Sequence, residues 1–318
     1  MIDVLQELKN AKTIGITGHI RPDGDCIGAS MGMYLYLKKS MPEAEIRVFL
    51  EDIPTIFNLI QDADKIESAE GKEDVMDAFL VLDCAVDRTG PAEKMVRKAG
   101  KIINIDHHIS NAAGSGDINY VVPQASSASE VCYEVMKKEY VDRAVAEALY
   151  IGIVNDTGVF QYSCTSKRTM EIAGELIAYG FPFPELIQKT FYEKTYLQNQ
   201  LLGRALLESI LFMDGRCIVT CIDQKTMDFY EAKPKHLDGI VSQLRNTRGV
   251  DCAIFMYETG FQTYKVSLRS NEKVDVSKIA ELFSGGGHAR AAGCTMNGTY
   301  HDIINNLSGY IEAQMKQN

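Results

Sequence analysis

Apolar runs alternate with helix-like segments through the first part of the chain. The runs have the length of strands and lie at residues 13–17, 45–50, 78–82 and 101–105. Segments with helical character fall between them, including residues 26–39 and 91–99. This alternation predicts an α/β domain with a mostly parallel sheet and helices on both faces. Residues 127–180 then look helical, and their most apolar segment, residues 144–154, predicts a buried helix.

The second part of the chain mixes helix and strand patterns on a smaller scale. Pro182 and Pro184 interrupt the first pattern, and leucines at helical spacing follow them up to residue 210. Apolar runs predict further strands at 217–222, 252–257 and 264–268, with helices near 276–283 and from residue 301. We therefore predict a first domain over residues 1–185, a helical connector over 186–210 and a smaller C-terminal α/β domain over 211–318.

Side chains of the metal-binding type follow three of the predicted strands. The stretch 18–25 contains His19, Asp23 and Asp25 directly after the run 13–17, and Asp83 follows the run 78–82. The third group is Asp106-His107-His108, after the run 101–105. The carboxyl ends of parallel strands meet at one edge of a sheet, where ligands bind in open α/β folds. Imidazole and carboxylate together suit a divalent metal ion, so we predict a metal site at this edge.

Asp156 is a further candidate ligand, at the end of the predicted buried helix. A carboxylate at a helix C-terminus is unfavourable, because the helix dipole is negative there. A bound cation would offset that cost. A solvated aspartate that ends the helix explains the same position, and both interpretations stay open on position alone.

The C-terminal domain carries its own motif, Ser-Gly-Gly-Gly-His-Ala-Arg-Ala-Ala-Gly at residues 284–293. Backbone N–H groups in such a glycine run can bind an anion, and His288 and Arg290 stand at the start of a possible short helix. Upstream, Arg269 and Ser270 end the run 264–268, and a guanidinium suits phosphate. A plain glycine-rich turn is the alternative, and the metal-type residues elsewhere in the chain favour the anion site.

The composition limits which binding partners and which cellular compartment we expect. The net charge of −10 argues against binding of long duplex nucleic acid, which needs many Lys and Arg contacts to phosphate. The chain starts without a signal peptide pattern and has no apolar run long enough to span a membrane, so we expect a cytoplasmic protein. The eight cysteines form no Cys-x-x-Cys pair, and we expect reduced thiols that pack in the interior.

As a set and in this order, the motifs resemble those of the DHH phosphoesterase superfamily. Residues 18–25 are similar to its first motif, Asp83 to its second, Asp106-His107-His108 to its third and Asp156-Thr-Gly158 to its fourth. Residues 267–270 and 285–293 resemble the DHH-associated domain. The length of the chain points to the nanoRNase/pAp phosphatase (NrnA-like) group. Ser284 and Asn155 depart from the commonest residues at their positions, and neither replaces an expected ligand.

The resemblance implies a two-metal active site in a cleft between the two domains. It assigns His19 and Asp23 to one ion, Asp25, His107 and Asp156 to the other, and Asp83 to both. Mixed imidazole and carboxylate ligands fit manganese better than magnesium. Asp106 would orient a ligand histidine, and His108 would contact the phosphate or assist the leaving group. The residues implied in substrate binding are Arg269, Ser270, Gly286, Gly287 and His288.

The function implied is hydrolysis of short oligoribonucleotides (nanoRNA) to mononucleotides and of pAp to AMP and phosphate. Two alternatives stay open: a phosphodiesterase for linear or cyclic dinucleotides such as pApA and cyclic di-AMP, and a catalytically weak nucleotide-binding protein. The expected partner is therefore a short single-stranded RNA, pAp or a dinucleotide, and no membrane. A homodimer is one of the assembly states left open.

Overall fold

The structure is a computed structural model that describes residues 2–316. It divides into two compact units, the first ending at Glu193 and the second beginning at Lys194. This division falls inside the stretch 186–210 for which the sequence predicts a connector. The predicted domain boundaries stay a prediction, and their terminal residues 1, 317 and 318 lie outside the described part of the chain.

The first unit contains a six-stranded sheet in the order β3-β2-β1-β4-β5-β6, in which every neighbouring pair is parallel. The strand order turns back between β1 and β4, and such a switch point is where open parallel sheets bind ligands. The prediction of a mostly parallel sheet is confirmed. The strands are β1 (Thr13–Thr17), β2 (Glu45–Phe49), β3 (Ile66–Glu67), β4 (Ala78–Leu82), β5 (Ile102–Asp106) and β6 (Ile118–Val121).

Helices cover both faces of this sheet. Alternate strand residues enter two separate cores: Ile16 and Leu80 pack with α2, α4 and α5, whereas Phe79 and Val81 pack against α3. Burial on both faces explains why the strands read as continuous apolar runs. The helices are α1 (Val4–Leu8), α2 (Gly24–Ser40), α3 (Glu93–Lys98), α4 (Ala128–Val135), α5 (Arg143–Asp156), α6 (Lys167–Ile177) and α7 (Phe183–Ile187), which continues as a π-helical turn (Gln188–Tyr192).

The second unit is a smaller α/β domain around a mixed sheet in the order β11-β12-β10-β9-β8-β7. Only β8 and β9 pair in parallel within this sheet. Helices α11 and α12 pack on one face, and α8 and α10 on the other. The elements are α8 (Tyr196–Leu207), β7 (Ile210–Phe212), β8 (Cys217–Ile222), α9 (Gln224–Phe229), α10 (Ile240–Arg245), β9 (Cys252–Gly260), β10 (Thr263–Ser270), α11 (Val276–Glu281), β11 (Gly286–His288), β12 (Ala291–Asn297) and α12 (Tyr300–Met315).

The prediction of a short helix that starts at His288 and Arg290 is wrong. Gly286 to His288 form strand β11, which pairs antiparallel with β12. A side chain at Gly285 or Gly287 would collide with the β12 backbone, so these glycines permit close approach of two strands. Residues 284–293 therefore contain no helix N-terminus that could bind an anion. Strand β11 instead forms one edge of the sheet.

None of the helices within residues 2–316 combines the length and the apolar character that a membrane crossing requires.

Candidate active site

The predicted ligands gather at the carboxyl edge of the parallel sheet, on both sides of its switch point. His19 follows β1, Asp83 follows β4, and His107 follows β5. Two helices bring the remaining carboxylates: Asp23 and Asp25 stand at the start of α2, and Asp156 is the last residue of α5. The structure thus brings together all six residues that the sequence predicts as metal ligands.

Asp83 lies between two histidines. Its Oδ2 is 3.4 Å from His19 Nε2, and its Oδ1 is 3.4 Å from His107 Nε2. The side chain is buried, and Oδ1 accepts no hydrogen bond from any residue between 2 and 316. A buried carboxylate oxygen is costly to leave without a partner. This arrangement fits a carboxylate that is shared between two cations.

The other ligands form one group on each side of Asp83. On one side, His19 Nε2 is 3.7 Å from Asp23 Oδ1. On the other, His107 Nε2 is 3.4 Å from Asp156 Oδ2 and 3.9 Å from Asp25 Oδ2. Ligand atoms of Asp25, His107 and Asp156 all lie within 4.8 Å of one another. The donor sets are mixed imidazole and carboxylate, which suits a divalent transition metal.

The histidine rings are oriented by backbone carbonyls. His19 Nδ1 is 2.9 Å from the Ile20 carbonyl oxygen, and His107 Nδ1 is 3.4 Å from that of Ala125. A carbonyl can only accept, so each Nδ1 carries a hydrogen. The opposite nitrogen, Nε2, faces the carboxylates, and it is the nitrogen that a metal ion would bind once the ring is neutral.

The carboxylates are held by helix N-termini. Asp25 accepts hydrogen bonds from the amides of Ala128 (2.6 Å) and Ser129 (3.0 Å) at the start of α4. Asp23 caps α2 by accepting from the amides of Asp25 and Cys26 through Oδ1. Both contacts exploit N–H groups that a helix leaves without an internal partner. Cys26 is fully buried beside this loop, as a packed thiol would be.

Four carboxylates around two imidazoles leave an excess of negative charge at the site. Burial raises the pKa of Asp25 well above its ordinary value, and Asp83 and Asp156 add to the effect. Burial also raises the pKa of Asp156, to about 7. Burial alone would lower the pKa values of His19 and His107, but the neighbouring carboxylates outweigh it and raise both to about 10. Protons balance part of the charge here, and two divalent cations would fit the same place.

Asp106 orients His108 and not the ligand histidine, which differs from the expectation. Its Oδ1 accepts from the His108 ring Nδ1 at 2.8 Å and from the amides of His107 and His108. Burial alone would raise the pKa of Asp106, but hydrogen bonds from His108 and Asn111 lower it. The hydrogen bond to Asp106 in turn raises the pKa of His108. His108 Nε2 is thereby directed away from Asp106.

Sequence reasoning missed the glycines that let α2 and α5 approach each other. Gly24, Gly28 and Gly32 recur every fourth residue along one face of α2. A Cβ on Gly28 would lie 2.6 Å from the Ala148 carbonyl oxygen of α5. This close contact brings Asp25 and Asp156 to the same site. The four-residue spacing of these glycines was the sequence signal that could have predicted the close contact of the two helices. Asn104 and Asn111, two buried residues beside Asp106, were also missed.

The predicted substrate-binding residues lie together in the second unit. Arg269 of β10 and His288 of β11 both pair with Ala291 of β12. Directly paired residues project from the same face of a sheet, so the arginine and the histidine flank a small side chain. Ser270 is different: it is buried, and its hydroxyl donates to the Val274 carbonyl oxygen at 2.6 Å. That contact ties down the loop after β10 and leaves the hydroxyl little access to a ligand.

Comparison with known families agrees with this geometry. Residues 13–153 match the N-terminal domain of the DHH family, and residues 214–316 match the DHHA1 domain. The chain thus contains a DHH N-terminal domain and a DHHA1 domain. The resemblance predicted from the motifs is confirmed in both parts of the chain.

Two curated relatives resemble this chain over most of their own length. The bifunctional oligoribonuclease and PAP phosphatase NrnA of Bacillus subtilis (strain 168) is 27% identical over 92% of each chain. The protein of the same name from Thermus thermophilus is 29% identical over 90% of this chain and 84% of its own. A solved structure, an exopolyphosphatase-related protein from Bacteroides fragilis, has a TM-score of 0.89, covers 99% of this chain and 96% of its own, and is 23% identical, which shows the shared fold.

Proposed function

We propose that this DHH protein is a two-metal phosphoesterase that hydrolyses nanoRNA to mononucleotides and pAp to AMP and phosphate. The observation that carries the proposal is Asp83, whose two oxygens each face the histidine of a separate ligand group. Two relatives that match nearly the whole chain are named for these two activities. A binding protein without activity would not need to retain six such side chains in one cluster.

His19 and Asp23 would hold one ion, Asp25, His107 and Asp156 the other, and Asp83 both. When bound, such a pair supplies Lewis acidity for attack of water on phosphorus. The mixed donor set favours manganese, because magnesium prefers oxygen ligands. The reaction then requires no serine or cysteine nucleophile.

The protein's own contribution to the chemistry would come from His108. Its Nδ1 is bonded to Asp106, so its Nε2 is the nitrogen that can donate to a phosphate oxygen or to the leaving oxygen. Asp106 stabilises the charged ring, as a buried carboxylate does for other catalytic histidines. Asp83, Asp106 and His108 are the residues to which we assign catalysis.

The second unit would supply substrate binding. Arg269 and His288 project from one face of the sheet on either side of Ala291, where a guanidinium and an imidazole would both be able to bind one phosphate group. The backbone at Gly286 and Gly287 would let a phosphate approach the edge strand closely, and an N–H group on its outer side would add a hydrogen bond. Ser270 would contribute to substrate binding indirectly, by holding the loop after β10 in place.

A single assay compares the candidate substrates. The purified protein is incubated with manganese and, in parallel, with pAp, a short RNA oligomer, pApA, cyclic di-AMP and pyrophosphate. We expect hydrolysis of the RNA oligomer and of pAp, and none of either in chelator. Faster turnover of pApA or cyclic di-AMP would replace the proposal by the dinucleotide phosphodiesterase, and binding without turnover would replace it by the nucleotide-binding protein.

We also propose that the protein acts in the cytoplasm. All eight cysteines are free thiols, and most are buried. Proteins of oxidising compartments commonly convert such residues to disulfides, so free thiols favour a reducing environment.

A further inference from the structure

Two buried asparagines lie directly behind the histidines of the site. Asn104 belongs to β5, and Asn111 lies in a short 3₁₀ turn that follows His108. The Asn111 side-chain amide donates to Asp106 Oδ2 at 2.7 Å and to Asn104 Oδ1 at 2.8 Å. Asn104 in turn donates to the carbonyl oxygens of Val81 (3.0 Å) and Cys84 (2.8 Å).

The hydrogen-bond partners fix which way both amides point. Asn104 Nδ2 faces two carbonyl oxygens, which can only accept, and its Oδ1 accepts from Asn111 and from the backbone amide and hydroxyl of Ser115. Asn111 must then direct its NH₂ group to Asn104 Oδ1 and to the Asp106 carboxylate. A flipped amide at either position would place like groups against each other.

The two asparagines differ in what they hold. The carbonyls bound by Asn104 stand on either side of Asp83, so this side chain joins the ends of β4 and β5. Asn111 instead reaches Asp106. Asp106 Oδ1 is occupied by the two histidine amides and the His108 ring, and Asn111 is the side chain that holds Oδ2. Without Asn111, the carboxylate plane is fixed at one oxygen only.

We propose that Asn111 is a positioning residue for His108: its amide sets the carboxylate plane of Asp106, and Asp106 sets the imidazole plane of His108. This inference rests on the proposed function, in which His108 contacts the phosphate or the leaving group. The Asn111 side chain donates to Asp106 and Asn104, and the Asn111 backbone N–H donates to the His108 carbonyl oxygen at 3.0 Å, a bond that side-chain exchanges retain. The effect of the side chain should therefore appear in the rate of the chemical step and not in metal binding.

The kinetic test is a double-mutant cycle with nanoRNA as substrate. Asn111→Leu keeps the side-chain size and removes both donors, and Ser115→Ala removes a hydroxyl at the far end of the same network as a control. We expect N111L to lower kcat by about tenfold or more, in the range of other residues that orient groups at metal sites. KM and manganese content should stay near those of the unmodified protein, and S115A should leave kcat unchanged.

The cycle is closed with His108→Ala. If Asn111 acts through His108, the N111L exchange should change kcat by less than about twofold once His108 is absent, because coupled residues are not additive. A loss of kcat in the H108A background as large as in the unmodified protein would assign Asn111 a general structural role and overturn the proposal. If N111L does not fold, Asn111→Ala takes its place.

A spectroscopic readout is independent of turnover. In metal-free protein labelled with ¹⁵N-histidine, the His108 Nδ1 proton, assigned by its absence in H108A, should be resolved in the unmodified protein and in S115A. Only six histidines contribute to this spectrum. In N111L the resonance should broaden through solvent exchange. A sharp Nδ1 resonance in folded N111L overturns the proposal, even if the assay with nanoRNA and pAp shows no hydrolysis and the proposed function itself fails.

Discussion

Asp83 holds its two histidine contacts in a backbone conformation that side-chain-bearing residues seldom adopt. Its φ of 61° lies in the left-handed region. The turn is fixed from the neighbouring strand, because Asp83 N donates to the Ile105 carbonyl oxygen and Asn104 holds the carbonyls of Val81 and Cys84. Backbone strain of this kind persists where the surroundings fix it, and it is common at functional sites.

Asp83→Asn tests the shared carboxylate without disturbing this turn. Asparagine has the same size and tolerates the left-handed region, so the fold should be retained. Losing one ligand oxygen and the negative charge should lower kcat by more than about 100-fold, the upper end for residues that only support metal ligands. Manganese content after gel filtration should fall as well. Asp87→Asn, an exchange in the adjacent 3₁₀ turn, serves as the control, and wild-type activity of D83N after dialysis against chelator would refute a two-metal site.

Proton release on metal binding is a second expectation at the residue scale. The pKa values of His19 and His107 are raised to about 10 in the metal-free protein, so both rings are protonated at neutral pH. A ligand histidine must be neutral, and each ring therefore loses a proton when a metal ion binds. Manganese affinity should rise with pH from neutrality toward about 10 and then level off.

Isothermal titration with manganese measures this linkage directly. Performed at one neutral pH in buffers of different ionisation enthalpy, it should give an apparent binding enthalpy that depends on the buffer, with release of more than one proton per protein. A binding enthalpy that is the same in every buffer would contradict the charge balance described for the site.

At the scale of elements, the packing of α2 on α5 sets the distance between Asp25 and Asp156. At Gly28 an added Cβ would meet backbone atoms of α5, the Ala148 carbonyl oxygen at 2.6 Å and Gly152 N at 2.8 Å. At Gly32, one turn further along α2, it would meet the Leu149 side chain at 2.6 Å. Backbone cannot move without moving the helix, whereas a leucine can change rotamer.

Gly28→Ala and Gly32→Ala form a matched pair for this contact. G28A should lower the free energy of unfolding by about 1–3 kcal/mol through overpacking and should weaken manganese binding, because the two helices carry ligands of the same group. G32A should cost less, since alanine also favours the helix by up to about 1 kcal/mol. Urea denaturation and metal titration measure both effects, and equal losses in the two variants would contradict the distinction between backbone and side-chain contacts.

The elements that could be predicted are those whose signal is local. Buried parallel strands are continuous apolar runs, and a histidine or aspartate directly after each run marks the ligand edge. Contacts between residues that are far apart in the chain could not be predicted from the sequence. Gly28 contacts Ala148, and β11 is a strand because it pairs with β12. The Ala-rich residues after His288 favour a helix locally, and strand pairing overrides that preference. The roles of Asn104 and Asn111 depend on their hydrogen bonds to a carboxylate and to backbone carbonyls, which the sequence does not indicate.

At the scale of the whole molecule, we assign metal binding and catalysis to the first unit and substrate binding to the second. The first unit contains the predicted metal ligands and His108, and the second contains Arg269 and His288. The net charge of −10 means that the protein as a whole repels polyanions. A phosphate group therefore needs local cationic side chains to bind, and the second unit offers Arg269 and His288. If this division holds, substrate affinity and the chemical step should respond to different variants.

Arg269→Ala is the variant that separates them. Removing a guanidinium that binds a phosphate equally in the bound substrate and in the transition state should raise KM by about tenfold or more and leave kcat nearly unchanged. Lys265→Ala is the matched control, since Lys265 lies on the same strand and the same face, four residues before Arg269. It should leave both constants unchanged. If KM and kcat are both unaltered in R269A, with wild-type manganese content and a folded protein, Arg269 does not belong to the substrate site. A fall in kcat with an unaltered KM would instead place it with the groups that act on the transition state.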